Sequence, residues 1–156
     1  MNRFLRAVCL LLVFSFVFAL PVSAEDTVSP MASGGDTVAP MANAYIAAHT
    51  LSITKTGNYQ FEVWFDVIAN GEIMDEIGVS EIIIYRSPDG ESWYDVAVYT
   101  PDDHPEMMAE NASHHNASIT YSNATGKYYK AYVTFHAKKG NGTGEILRYT
   151  SELQMR

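Results

Sequence analysis

From Tyr45 onward, apolar and polar positions alternate with a period of two in several separate segments, divided by clusters of turn residues. That period predicts strands, because successive side chains of an extended backbone point to opposite faces. One run puts Tyr59, Phe61, Val63, Phe65 and Val67 on one face and Gln60, Glu62, Trp64, Asp66 and Ile68 on the other. A second sets Tyr129, Ala131, Val133, Phe135 and Ala137 against Tyr128, Lys130, Tyr132, Thr134 and His136. These two runs are the expected central strands, each sending five side chains into the core. Further strands are expected near residues 45–54, 79–86, 93–100, 117–122 and 145–153, which makes about seven. Turns at Thr56-Gly57-Asn58, Ser87-Pro88-Asp89-Gly90 and Asn141-Gly142-Thr143-Gly144 separate them. The best helical candidate is one or two turns over residues 105–111, where Pro105 suits a first helical position. Strands with one apolar face each must bury it against another sheet, so the predicted fold is an all-β, antiparallel two-sheet sandwich.

The start of the chain follows another pattern. Arg3 and Arg6 precede an apolar run from Ala7 to Leu20, and Val22-Ser23-Ala24 supplies small residues for cleavage, so residues 1–24 read as a secretory signal peptide. A run of 14 residues, at about 1.5 Å each, falls short of a bilayer core of about 30 Å. The mature chain is therefore expected to be secreted, without membrane insertion. Residues 25–43 lack aromatics and repeat a unit, Asp26-Thr27-Val28-Ser29-Pro30-Met31-Ala32 and then Asp36-Thr37-Val38-Ala39-Pro40-Met41-Ala42. They read as a flexible or extended tether, with a docking or processing motif as the alternative. Residues 44–156 form the expected β-domain.

The lone cysteine, Cys9, lies inside the signal segment. A mature domain without thiols must rely on its apolar core, and thiol chemistry and cysteine-bound zinc are excluded for it. Losing Arg3 and Arg6 leaves 8 Lys and Arg against 18 Asp and Glu, a formal charge of −10. Nucleic acid and anionic membrane surfaces are poor partners for such a chain.

In Gly126-Lys127-Tyr128-Tyr129-Lys130-Ala131, a tyrosine follows a glycine turn and stands two residues before a small core residue. This segment, with the strand order, resembles the sixth strand and tyrosine corner of immunoglobulin-like and fibronectin type III sandwiches. The resemblance spans residues 45–153 and implies an immunoglobulin-like sandwich, although the core cysteine pair and third-strand tryptophan of antibody domains are missing. A signal, a tether and one cysteine-free β-domain containing Ile77-Gly78-Val79-Ser80-Glu81-Ile82 and Ser87-Pro88-Asp89-Gly90-Glu91-Ser92-Trp93 are also similar to small secreted proteins of Gram-positive bacteria, a family of unknown function. That likeness implies no activity.

The segment from Ser87 to Trp93 is similar to the Asp-box hairpin of sialidase-like propellers, but it is one residue short and occurs once. It reads as a structural hairpin in which Asp89 bonds the turn backbone and Trp93 packs across it. His104, His114 and His115 share a 17-residue segment, 100–116, with Asp102, Asp103, Glu106 and Glu110. A loop of that length invites a functional reading, yet no HxH or HxxxH spacing fixes a metal geometry. No GxSxG or HExxH motif marks a hydrolase. Sequons begin at Asn111, Asn116, Asn123 and Asn141, all expected in loops or turns.

What remains is aromatic character on outward faces: Trp64 between Glu62 and Asp66, and Tyr128 and Tyr132 with His136. Flat rings beside polar groups suit sugar stacking or protein contact; the other explanation is cover by a neighbouring strand, the tether or a dimer mate. Trp64, Tyr128, Tyr132 and His136 are the candidate ligand-binding residues. The expected function is non-catalytic binding of a protein or carbohydrate, with no cofactor and no bound metal. The alternatives are a structural or self-associating extracellular protein that uses strand edges, and a small metal-dependent protein or hydrolase.

Overall fold

The computed structural model describes residues 43–155, which form nine strands. The predicted signal peptide and the tether before Asn43 lie outside the described residues. The strands are β1 (Ile46–Gly57), β2 (Gln60–Ala69), β3 (Met74–Ser87), β4 (Tyr94–Tyr99), β5 (Met108–Ala112), β6 (His114–Ser122), β7 (Tyr128–Lys139), β8 (Gly142–Tyr149) and β9 (Leu153–Gln154). One sheet has the order β1-β2-β6. The other runs β4-β3-β7-β8, with β5 also on β3 and β9 also on β7. All pairings are antiparallel, and the result is an all-β sandwich of a three-stranded and a six-stranded sheet.

The two expected central strands lie inside their sheets as β2 and β7. Tyr129, Ala131, Val133, Phe135 and Ala137 are all fully buried. In β2 the five core positions are Phe61, Val63, Phe65, Val67 and Ala69; Tyr59 is 66% exposed, in the turn. The first hairpin is tighter than expected, pairing Gly57 with Gln60 around only Asn58 and Tyr59, so Tyr59 precedes the strand instead of opening it.

Other expectations are corrected. Residues 105–111 hold only a 3-10 turn, Pro105–Met107, before the backbone extends into β5. The 100–116 segment is thus no long loop: β5 pairs with Met74–Gly78, and His114–Asn116 pair with Asp66–Ile68. The final turn is Gly140-Asn141, with Gly140 at φ 56, and Gly142 already belongs to β8. The last strand divides into β8 and β9. Thr150 bridges the break: its N–H donates to the Ala131 carbonyl and its Oγ1 accepts from Ala131 N–H, both at 2.9 Å.

β3 starts five residues before the expected Val79 because its alternation changes phase. Ile77 and Val79 face the core, then Ser80 bulges out of register with β7, and Ile82 and Ile84 face the core. A bulge adds one residue and exchanges the faces of everything beyond it. Ser80 Oγ donates to the Thr134 carbonyl at 3.3 Å, which serves a backbone group beside the irregularity. Next to the bulge, Gly78 lies against the backbone of Met107 and Met108, and a Cβ there would collide with the Met107 carbonyl oxygen. Met107 itself is fully buried, so this backbone cannot readily retreat.

His49 is a buried polar residue in the core, with its ring centroid 4.8 Å from that of Phe135. Among the described residues its Nε2 has no hydrogen-bond partner, and neither do the buried Nε and Nη2 of Arg148. Burial and the Arg148 charge hold the His49 imidazole below its ordinary pKa.

Gly78→Ala is expected to destabilise the fold by about 1–3 kcal/mol, measured by urea unfolding, because the close approach leaves no space for a methyl group. For His49 the unfolded chain takes up the proton more readily, so its contribution is complete above about pH 6.5 and falls as the pH drops below it. The urea midpoint of the wild type is expected to fall more steeply between about pH 6.5 and 5 than that of His49→Leu.

Candidate functional site

On β7 the residues between the core positions point away from the other sheet, and cross-strand partners share their face. Register puts Val98, Ile83, Tyr132 and Tyr149 opposite one another, an apolar row across β4, β3, β7 and β8. Val98 and Tyr149 are each 53% exposed. Lys130 follows on β7, opposite Tyr85 of β3. Its Nζ stands 4.0 Å above the Trp93 ring centroid and 5.4 Å from that of Tyr149. Tyr149 also meets Tyr132 at 4.9 Å and Tyr85 at 6.4 Å between centroids. Trp93, Tyr85, Tyr132 and Tyr149 therefore form one aromatic patch around a lysine on the outer face of the six-stranded sheet.

The ring quadrupoles favour the ammonium above them, which fixes Lys130 and restrains Trp93 without a salt bridge. Partial burial in the patch raises the Tyr85 phenol above its ordinary pKa, and the neighbouring Tyr149 adds to the shift. The arrangement offers flat apolar surface with phenolic hydroxyls and one cation. It suits stacking and hydrogen bonding, and it supplies no nucleophile paired with a base.

Of the expected binding residues, Tyr132 sits within this patch. Tyr128 and His136 share its face at opposite ends of β7, each four residues away, or about 13 Å along an extended strand. Tyr128 lies under Lys127, whose Nζ is 5.1 Å from the ring centroid, and Gln154 Nε2 donates to its hydroxyl at 3.5 Å. His136 lies near two carboxylates, with Nε2 3.7 Å from Glu76 and Nδ1 3.5 Å from Glu145, and its buried Nδ1 has no hydrogen-bond partner among the described residues. Glu76 also accepts from Lys138 Nζ at 2.6 Å, and this bond lowers the Glu76 pKa. His136 thus belongs to a charged network beyond the aromatic patch.

Trp64 is separate. It is 37% exposed on the outer face of the three-stranded sheet, opposite Ser52 and Ser118. Beside it, Asp66 accepts a 2.6 Å hydrogen bond from His114 Nε2. The structure does not bring Trp64 together with the other three residues.

The His- and Asp-rich segment is dispersed by its strands. His104 donates to Glu106 Oε1 at 3.0 Å, His114 to Asp66, and His115 Nε2 to the Glu106 carbonyl at 2.8 Å. Among the described residues no group of three or more His, Cys, Asp or Glu side chains is placed to hold a metal ion. The sequon asparagines are all exposed, but Asn116 lies within β6 and Asn111 within β5, not in loops.

In the β3–β4 turn, Asp89 acts as its sequence suggests. Its Oδ1 accepts from Ser87 Oγ at 2.9 Å, Glu91 N–H at 2.9 Å and Ser92 N–H at 2.8 Å. Bonds from the Ser92 and Glu91 backbone lead in holding its carboxyl down at about 2. Gly90 completes the turn at φ 87.

Sequence reasoning missed Tyr85, Trp93, Lys130 and Tyr149 as members of the site. Lys130 and Tyr132 occupy the same outward face of a readable strand, and that was the available signal. The register that sets β3, β4 and β8 beside them was not visible along the chain. No helix among the described residues is long and apolar enough to cross a membrane. No known protein family, curated protein or solved structure matches the chain.

Proposed function

We propose that the chain is a secreted, non-catalytic binding module with an immunoglobulin-like, fibronectin type III-like sandwich, and that it binds a protein or carbohydrate on the outer face of its six-stranded sheet. The signal-like leader supports secretion. Two features support the fold relationship. The chain passes between the sheets from β2 to β3, from β5 to β6 and from β6 to β7, in the Greek-key manner of such sandwiches. The fully buried Tyr129 also accepts a 2.7 Å hydrogen bond from Gly126 N–H through its hydroxyl, as a tyrosine corner does.

The observation that carries the binding reading is the contiguous patch of Trp93, Tyr85, Tyr132 and Tyr149 around Lys130. Aromatic side chains supply large contact area, and such residues dominate binding energy where they cluster. Ring contacts already restrain the patch, so a ligand has less side-chain freedom to remove on binding.

A second reading, self-association, is favoured by the edge strand β4. It carries one charge, Asp95, in six residues, and its Tyr94 and Val98 are 57% and 53% exposed. By contrast, two carbonyls of the β8 edge are capped by side chains, Glu145 by Asn43 and Leu147 by Arg148. Exposed apolar edges invite strand pairing.

The test measures binding of the purified protein to arrays of cell-wall polysaccharides, glycans and extracellular proteins. For a ligand so found, Trp93→Ala and Tyr132→Ala are each expected to weaken affinity by roughly tenfold or more, while Trp64→Ala, on the opposite face, leaves it unchanged. Loss with Trp64→Ala alone would move the site to the other sheet. Absence of any ligand together with concentration-dependent mass in light scattering would favour self-association.

A further inference from the structure

At one pole of the sandwich, the β3–β4 hairpin and the segment joining β6 to β7 border a solvent-open cavity of about 340 Å³, lined by Arg86, Pro88, Tyr94, Thr125, Gly126 and Lys127. A second, of about 270 Å³, opens across the same loop and shares Thr125 and Gly126. The first has an unusual charge for this chain. Lys138 and Lys139 are paired with Glu76 and Asp75, whereas Arg86 and Lys127 make no ion pair among the described residues. The closest acid in sequence to Arg86, Asp89, has its Oδ1 committed to the turn.

The wall is built and not merely left open. Arg86 lies along Gly126 so closely that a Cβ there would come within 2.5 Å of Arg86 Cγ and Cδ and 2.8 Å of the Tyr129 hydroxyl. The Gly126 N–H bond to that hydroxyl fixes the loop, and the loop fixes the stem of Arg86. Arg86 pairs with the core residue Tyr129 on one side and with Tyr94 on the other, so it projects to the inter-sheet side at the pole. Tyr85 and Lys130 project outward. The cavity is therefore distinct from the aromatic patch, and Lys127, whose Nζ also lies 5.1 Å from the ring centroid of the outward Tyr128, stands at the border between the two.

We propose that this cavity binds an oxyanion group, a phosphate or a carboxylate. Arg86 presents a planar fork of donors matched to two oxygens, Lys127 adds a compact positive charge, and Tyr94 walls the cavity beside them. A chain with a large negative charge repels polyanions at a distance, so discrimination rests on this local pair of cations.

The experiment is a titration of the isotopically labelled full-length secreted product, read by amide chemical shifts at constant ionic strength. Inorganic phosphate and acetate are the two probes, with sodium chloride as the balancing salt. Saturable shifts at Thr125, Gly126 and Lys127 are expected. Arg86→Gln is expected to weaken binding by roughly tenfold or more and Lys127→Gln by several-fold, since charge-assisted bonds are lost. If Arg86→Gln fails to fold, Lys127→Gln, an exposed position, decides the matter. Saturation by phosphate alone identifies a phosphate-bearing ligand, and saturation by acetate alone a carboxylate-bearing one. Shifts with neither probe, or shifts that survive Lys127→Gln unchanged, overturn the proposal.

Discussion

The pairing of β3 with β7 is the constraint on which the rest of the structure depends. These are the two longest strands of the larger sheet, and they are in register from Glu76–Lys138 to Ser87–Tyr128, interrupted only at Ser80. Each is long enough to carry two partners on its far side, β4 and β5 on β3 and β8 and β9 on β7. All four outer strands take their positions from this pair. Its inner face contributes Ile77, Val79, Ile82, Ile84 and the five core residues of β7, all fully buried. Apolar area removed from water is the dominant favourable term in folding, and this pair holds much of it.

The same pairing creates the outer surface. Because side chains alternate, every residue directed into the core leaves a neighbour directed outward, and the bulge at Ser80 determines which neighbour. Without it, Ile83 and Tyr85 would point inward and Ile82 and Ile84 to solvent. The bulge thus serves burial and the aromatic patch at once. Gly78 beside it permits close approach of the Met107 backbone, which covers the end of the core and starts β5.

Several polar groups within this framework are held by specific hydrogen-bond partners. Tyr129 is bonded to Gly126, Thr150 to both the N–H and the carbonyl of Ala131, and Asp89 to its own turn. His49, His136 and Arg148 differ, with buried nitrogens that lack hydrogen-bond partners among the described residues. An unpaired buried polar group carries a penalty, and for His49 and Arg148 it falls between β1 and β8, where the two sheets meet at an edge.

Much of the fold was legible in the chain because alternation is a local property. Phe61 to Val67 and Tyr129 to Ala137 announced β2 and β7, and Ser87-Pro88-Asp89-Gly90 announced its turn, since the Asp89 bonds span only a few residues. β5 was not legible: Met108–Ala112 carries no clear alternation and becomes a strand only because β3 offers it an edge. The full length of β3 was hidden by the bulge, which breaks the period. Of the aromatic patch, Tyr132 could be read as outward-facing, but Trp93, Tyr85 and Tyr149 lie 39, 47 and 17 residues from it. The sequence by itself determined that the chain makes strands, which faces of β2 and β7 are apolar, and where the Ser87-Pro88-Asp89-Gly90 turn lies. Only the tertiary structure decided which outward rings meet, because cross-strand register joins residues distant along the chain and a single bulge exchanges their faces.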